Sequence, residues 1–453
     1  MNQHSHFGTD GIRGTVGEAP ITVDFVLKLG WAVGRVLAQA GQAKVVIGKD
    51  TRVSGYMLEA ALEAGLTAAG IDVYLLGPIP TPAIAYLTRE LQAQAGVVIS
   101  ASHNPYPDNG IKLFSSLGEK ISEAFEQEIE RHLALPIVTL NAKLLGKAYR
   151  VDDVQARYRD FCLSLFKNLS LKGMKVVLDC ANGATYHIAP ELFTRLGAEV
   201  VTIGVSPNGR NINEGCGSTD LTLLKKTVQE TKADVGIAFD GDGDRVLFVD
   251  AQGQAIDGDQ LVYALAKYGH DKGTLKGGVV GTLMSNLGLE FALKDMGIPF
   301  ERTSVGDKYV HAKLEEKGWT LGGESSGHVI QMQRHSTGDG ILAALGVLEA
   351  LIESKSTISA YVKGMTCFPQ VMINVAVLCS QDPMLHPQIA QAVADVEAKL
   401  DGRGRVLLRR SGTEPVVRVM VEGEEGALVQ SLAEGLATMV KEVLVSDKQH
   451  CML

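Results

Sequence analysis

The chain has 453 residues, with 43 Lys plus Arg against 52 Asp plus Glu, a formal net charge of −9, 45% hydrophobic and 21% charged residues. At roughly 100–200 residues per domain that length predicts about three or four domains, and the balance excludes both a disordered chain and a general nucleic-acid binder with a basic footprint. With no apolar run of the ~18 residues a membrane span needs, no secretory h-region and six cysteines that form no CxxC pair, the expectation is a reduced, soluble, cytoplasmic protein without a disulfide framework.

The first third alternates strand and helix signals. Val45–Gly48, Asp72–Leu76 and Gly96–Ser100 are short β-branched runs ending in turn residues, and helical patterns lie between them at about 24–40 and 55–69. Such alternation predicts βαβ units around a mostly parallel, buried sheet. The pattern recurs with strands at Lys175–Asp179, Glu199–Gly204 and Asp234–Phe239, and again at Gly278–Thr282, Phe300–Ser304 and Thr320–Gly323, followed by a long helix at about 338–354. The last ~85 residues change to β-α-β-β-α, which suits a smaller α+β domain with an antiparallel sheet. The expected fold is α/β: three similar α/β domains with mixed, mostly parallel sheets (1–152, 153–256, 257–369) and a smaller C-terminal α+β domain (370–453) around a central cleft.

Four loops carry chemistry. Ser100–Pro105, followed by Asp108–Lys112, leaves the end of a predicted parallel strand, where open α/β sheets place their ligands; Ser102 beside His103 is a candidate nucleophile and Lys112 a candidate charge or proton donor. Asp240, Asp242 and Asp244 alternate with glycines ahead of Arg245, an all-oxygen set suited to Mg²⁺ or Ca²⁺. An EF-hand is excluded because its sixth and twelfth positions would be Arg245 and Ala251. Gly322–His328 ends a strand on two glycines and supplies Glu324, Ser325, Ser326 and His328, groups able to hold sugar hydroxyls. Arg409–Pro415, with Arg418 beyond it, combines guanidinium forks with small hydroxyl residues and a glycine, a phosphate nest that is not a Walker loop.

Read in order, FGTDGIRG at 7–14, GKDTRVSG at 48–55, SASHNPYPDNGIK at 100–112, DGDGDR at 240–245, GGESSGH at 322–328 and RRSGTEPVVRVMVEG at 409–423 resemble the α-D-phosphohexomutase superfamily over essentially the whole chain. The FGTDGIRG opening and NINEGCGST at 211–219 are closer to its glucosamine branch than to the phosphomannomutase/phosphoglucomutase branch, which stands as the alternative. Lys308 departs from that branch, which often has arginine there. The resemblance implies an isomerase that interconverts glucosamine 6-phosphate and glucosamine 1-phosphate on the way to UDP-N-acetylglucosamine. It implies a phosphorylated Ser102, a 1,6-bisphosphate intermediate and one Mg²⁺ held by Asp240, Asp242, Asp244 and an oxygen on Ser102. Arg13, His103, Lys112 and Arg245 would surround the transferring group, with Lys112 the first candidate for proton transfer and His103 the second. Glu324, Ser326 and His328 would hold the sugar, and Arg409, Ser411, Gly412, Thr413 and Arg418 the non-reacting phosphate. The expected partner is a small hexosamine phosphate, with no nucleic acid and no membrane, and the family suggests a homodimer.

Overall fold

The computed structural model describes residues 6–8, 10–38, 43–376, 382–410 and 416–446. The chain falls into two compact units, one of residues 1–282 with 298–363, the other of 283–297 with 364–453.

The larger unit carries three sheets. The first contains β1 (Ile12–Thr15), β2 (Lys44–Lys49), β3 (Asp72–Pro78), β4 (Ala95–Ile99), β5 (Asp108–Ser115) and β6 (Ala148–Arg150) in the order β1-β5-β4-β2-β3-β6. β2, β3, β4 and β6 run parallel, while β5 pairs antiparallel with both β4 and β1. β4 is buried along its whole length, as a strand covered on both faces must be. The helices Val23–Ala38 and Ser54–Ala68 pack their apolar faces into one core with Val45, Ile47, Val97 and Ile99. Residues 108–112, read from the sequence as a continuation of the serine loop, are strand: β5 starts at Asp108, and Lys112 pairs with Val98 of β4.

The second sheet has β7 (Lys175–Asp179), β8 (Glu199–Ile203), β9 (Val235–Phe239), β10 (Val246–Asp250) and β11 (Ala255–Ile256) in the order β11-β10-β9-β7-β8. β9 and β10 are antiparallel neighbours joined by the acidic loop 240–245. The third sheet comprises β12 (Val279–Thr282), β13 (Phe300–Thr303), β14 (Leu321–Gly323) and β15 (Val329–Gln331), ordered β13-β12-β14-β15. β14 and β15 are antiparallel, and the loop between them holds Glu324–His328. Each sheet thus adds an antiparallel strand to a parallel set, and each chemistry-bearing loop joins the two.

The smaller unit contains β16 (Gln370–Ala376), β17 (Gly404–Arg410) and β18 (Val416–Gly423), an antiparallel sheet ordered β16-β18-β17. The helices Pro387–Leu400 and Gly426–Ser446 share its core through Val393, Leu400, Val429 and Leu436. The helix Leu287–Asp295 belongs to this unit: fully buried Glu422 accepts the Leu287 N–H at 2.8 Å and an Arg405 Nε–H at 2.5 Å. Among the described residues no helix is long and apolar enough to cross a membrane.

Candidate active site

Ser102 sits just beyond the end of β4. It is 1% exposed and holds a left-handed φ of 52°. Its hydroxyl donates to Asp240 Oδ2 at 2.5 Å and lies 3.3 Å from His103 Nδ1. The serine and the acidic loop, 138 residues apart in sequence, therefore share one site. Gly241 makes the approach possible, because a Cβ there would stand 2.5 Å from the Ser102 carbonyl oxygen.

The three aspartates are used differently. Asp240 Oδ1 accepts the Gly243 and Arg245 backbone N–H groups, both at 3.1 Å. Asp242 Oδ2 accepts from Thr81 Oγ1 at 2.7 Å and Lys112 Nζ at 3.0 Å. Asp242 Oδ1 and Asp244 Oδ1 are buried with no hydrogen-bond partner among the described residues. One oxygen from each of the three lies within 4.8 Å of the others. Buried carboxylate oxygens left unpaired are costly. An all-oxygen set of three neighbouring carboxylates, two of them with an unpaired buried oxygen, fits a hard divalent cation.

The surrounding charges alternate. Lys112 Nζ lies 3.1 Å from Asp10 Oδ2 and 3.4 Å from Asp244 Oδ2. Asp244 faces His328 Nδ1 at 3.7 Å, and His328 Nε2 faces Asp307 Oδ2 at 3.7 Å. Lys120 closes the ring, 2.7 Å from both Asp307 and Asp10. Burial and the neighbouring carboxylates push Asp240 well above the usual carboxylate range. Burial also pushes Asp244 upward, but Lys112, His328 and Arg245 outweigh it and hold that carboxyl well below the range. Burial draws His328 down, yet the neighbouring carboxylates Asp244 and Asp307 raise it to about 9. It is a buried imidazolium placed between two carboxylates.

Lys112 stands among three carboxylates. Burial lowers it, but Asp10, Asp242 and Asp244 prevail and raise it well above the ordinary lysine value, the opposite of what a neutral base needs. His103 moves the other way: burial first, then Arg245 and Arg13, bring it down to about 4, so its imidazole is neutral at pH 7. Asp10 and Asp307 were missed among the candidates. Asp10 lies inside FGTDGIRG, where only Arg13 was singled out, and neither residue has a local signal that sets it apart.

A cavity of about 240 Å³ opens beside this ring, lined by Asp10, Arg13, Arg245, Gly306, Glu324 and His328 among others. Glu324 is held by the Gly306 N–H, which donates to its Oε1 at 3.0 Å. Ser326 Oγ is buried with no hydrogen-bond partner among the described residues. Arg13 pairs with Asp10. In the smaller unit, Arg409 of β17 and Arg418 of β18 stand directly opposite each other across the sheet. Burial and the Arg418 charge lower Arg409 from the usual guanidinium value. Ser411, Gly412 and Thr413 lie outside the described residues.

Residues 4–135, 154–253, 257–368 and 372–439 match, in that order, domains I, II and III and the C-terminal domain of the phosphoglucomutase/phosphomannomutase family. The chain is 56% identical over 443 residues to the phosphoglucosamine mutase of Aliivibrio fischeri (strain ATCC 700601 / ES114), covering 98% of this chain and 100% of that one. It is 55% identical over 444 residues to the phosphoglucosamine mutase of Proteus mirabilis, with the same coverage. A crystal structure of a phosphoglucomutase/phosphomannomutase family protein from Burkholderia thailandensis superposes with a TM-score of 0.80 at 25% identity, over 97% of this chain and 98% of that one. The Aspergillus fumigatus N-acetylphosphoglucosamine mutase in complex with GlcNAc-6P and magnesium shares the fold, with a TM-score of 0.69 at 18% identity over 97% and 96% of the two chains.

Proposed function

The chain belongs to the phosphoglucosamine mutases of the phosphoglucomutase/phosphomannomutase family, and from that premise we propose that it interconverts glucosamine 6-phosphate and glucosamine 1-phosphate through a phosphorylated Ser102. The observation that carries the reading is the 2.5 Å bond from Ser102 Oγ to Asp240, which brings the phosphoryl carrier and the acidic triad into one buried site.

Asp240, Asp242, Asp244 and an oxygen on Ser102 are the residues that would hold one Mg²⁺, which when bound supplies positive charge to the transferring phosphoryl oxygens. Ser102 gives its phosphoryl group to O1 of the sugar: the Oγ–P bond breaks and the departing Oγ takes up a proton to become the free hydroxyl, while an O1–P bond forms and the O1 proton leaves. His103, whose Nδ1 faces the Ser102 hydroxyl, is our candidate to take that proton. Lys112 and Arg245 stay charged and oppose the growing negative charge. The resulting 1,6-bisphosphate turns round; its O6–P bond breaks as an Oγ–P bond forms, the Oγ proton leaves and O6 takes one up. Glu324 and Ser326 hold the sugar hydroxyls through both orientations. Arg409 and Arg418, with Ser411, Gly412 and Thr413, grip whichever phosphate is not reacting. We assign these parts to four domains, 1–152, 153–256, 257–369 and 370–453, each contributing one loop.

The test is intact mass together with turnover. Part of the purified protein is expected to be about 80 Da heavy, the mass of one phosphoryl group, and Ser102→Ala is expected to abolish both that species and turnover of glucosamine 6-phosphate. Faster turnover of glucose or mannose phosphates would favour the sister branch. Stoichiometric release of inorganic phosphate would replace the mutase with a phosphatase.

A further inference from the structure

Two sequence motifs have no part in the chemistry above, GKDTRVSG at 48–55 and NINEGCGST at 211–219. Both send a side chain to the backbone of the Ser102 loop. Arg52 is completely buried. A guanidinium has five N–H bonds, and five acceptors meet them here. Nε donates to Asp50 Oδ2 at 2.8 Å. Nη1 donates to the carbonyls of Pro105 at 2.5 Å and Asp108 at 3.0 Å. Nη2 donates to the carbonyls of Ser102 at 3.0 Å and Asn104 at 2.8 Å. Asp50 also accepts from Ser100 Oγ at 2.6 Å, and that oxygen accepts the Ser102 N–H at 2.9 Å.

Asn213 grips the same loop from the other side. Its Nδ2 donates to the carbonyls of Ser102 at 2.9 Å and Asn104 at 3.0 Å, the two that Arg52 Nη2 also holds. Two carbonyl acceptors facing one terminal atom of the amide assign that atom as the nitrogen. The loop needs this support, because a residue with a Cβ disfavours the left-handed φ of 52° at Ser102. Were Ser102 to relax to ordinary backbone, its Oγ would turn away from Asp240.

We propose that Arg52, with Asn213 opposite it, is the positioning residue of the phosphoryl-carrying loop, holding Ser102 in its strained conformation so that Oγ faces the acidic triad. This rests on Ser102 being the phosphoryl carrier. A lysine would keep the charge beside Asp50 but has three N–H bonds and no planar fork, so it cannot meet five acceptors.

The experiment compares wild type, Arg52→Lys and Asn213→Gly. It reads kcat and KM for glucosamine 6-phosphate with glucosamine 1,6-bisphosphate present, and amide hydrogen exchange across residues 100–108. We expect kcat to fall about 100-fold in Arg52→Lys and about tenfold in Asn213→Gly, with KM within about threefold and faster exchange in that segment, the pattern of a displaced reacting atom. A residue serving stability alone would lower the melting temperature and leave kcat of the folded enzyme unchanged; that result, with wild-type exchange, overturns the proposal. If Arg52→Lys does not fold, Asn213→Gly decides alone, because glycine keeps the left-handed φ of 59° at that position and removes the two donors from a partly exposed side chain. Wild-type protein without phosphate on Ser102 would instead overturn the functional reading, while exchange across 100–108 would still decide whether Arg52 holds the loop.

Discussion

Asp242 shows how one carboxylate can be half satisfied. Thr81 and Lys112 fill Oδ2, whereas Oδ1 is buried with no hydrogen-bond partner among the described residues. Such an oxygen is tolerated where a cation meets it. Asp242→Asn keeps the size and removes the charge. By calorimetric titration, Mg²⁺ affinity is expected to fall about 10–100-fold, and the metal-free protein is expected to melt no lower than wild type because one like charge has gone. An unchanged titration would take Asp242 out of the metal set. At this scale the sequence was informative where chemistry is concentrated in consecutive residues, as in 240–245. It was silent where a role depends on distant neighbours. Lys112 could be read as a base from its residue type, but its charge is set by Asp10 from β1's approach and by Asp242 and Asp244 from the second sheet, and no spacing rule encodes that meeting.

The strands show the same division. Lys175–Asp179 was legible to the residue because its apolar run is uninterrupted and bounded by turn residues. The antiparallel partners β5, β10 and β15 were not, since each begins inside or directly after a polar motif that masks the start of its apolar pattern. In the smaller sheet the pairing of Arg409 with Arg418 has two consequences of opposite sign. Like charges directly opposite across strands are destabilising, while together they suit an anion. Arg409→Gln is therefore expected to raise the stability of the metal- and substrate-free protein by about 0.5 kcal/mol. It should also raise KM for glucosamine 6-phosphate about tenfold or more with little change in kcat, because a grip on the non-reacting phosphate acts alike in ground and transition states. Chemical denaturation and steady-state kinetics on the same variant check both; a loss of stability with unchanged KM would make the arginine pair structural.

Across the larger unit, the three sheet-bearing portions meet at a buried seam. Tyr86 stacks on Phe161 at 4.1 Å, Phe161 meets the edge of His335 at 5.6 Å, and Ser336 Oγ donates to the Gly118 carbonyl at 2.7 Å. Tyr158 donates to Asp339 Oδ2 at 2.7 Å, while Asp339 Oδ1 caps the helix Gly340–Ser354 by accepting the Leu342 N–H. Two groups in this seam titrate in opposing directions. Burial, aided by Arg89, lowers His335 to about 3, so the folded protein keeps it neutral while the unfolded chain protonates it near 6.5. Its contribution is complete above pH 6.5 and is lost as pH falls toward 3. Burial raises Asp339 to about 6 against the N–H of Leu342 and the Tyr158 hydroxyl. The folded state thus binds that proton first, and the cost of burying its charge, present above pH 6, is relieved between pH 6 and 4. Asp339→Asn keeps the helix cap through its amide oxygen and turns its NH2 toward Tyr158, whose hydroxyl oxygen then accepts instead of donating, but it removes this relief. Its urea stability is expected to match or exceed wild type at pH 8 and to decline more steeply from pH 6 to pH 4, by about 2–3 kcal/mol in total. Parallel pH profiles for the two proteins would show that the seam carries no titrating carboxyl, and the acid sensitivity of the folded unit would then rest on the charge ring around Lys112 instead.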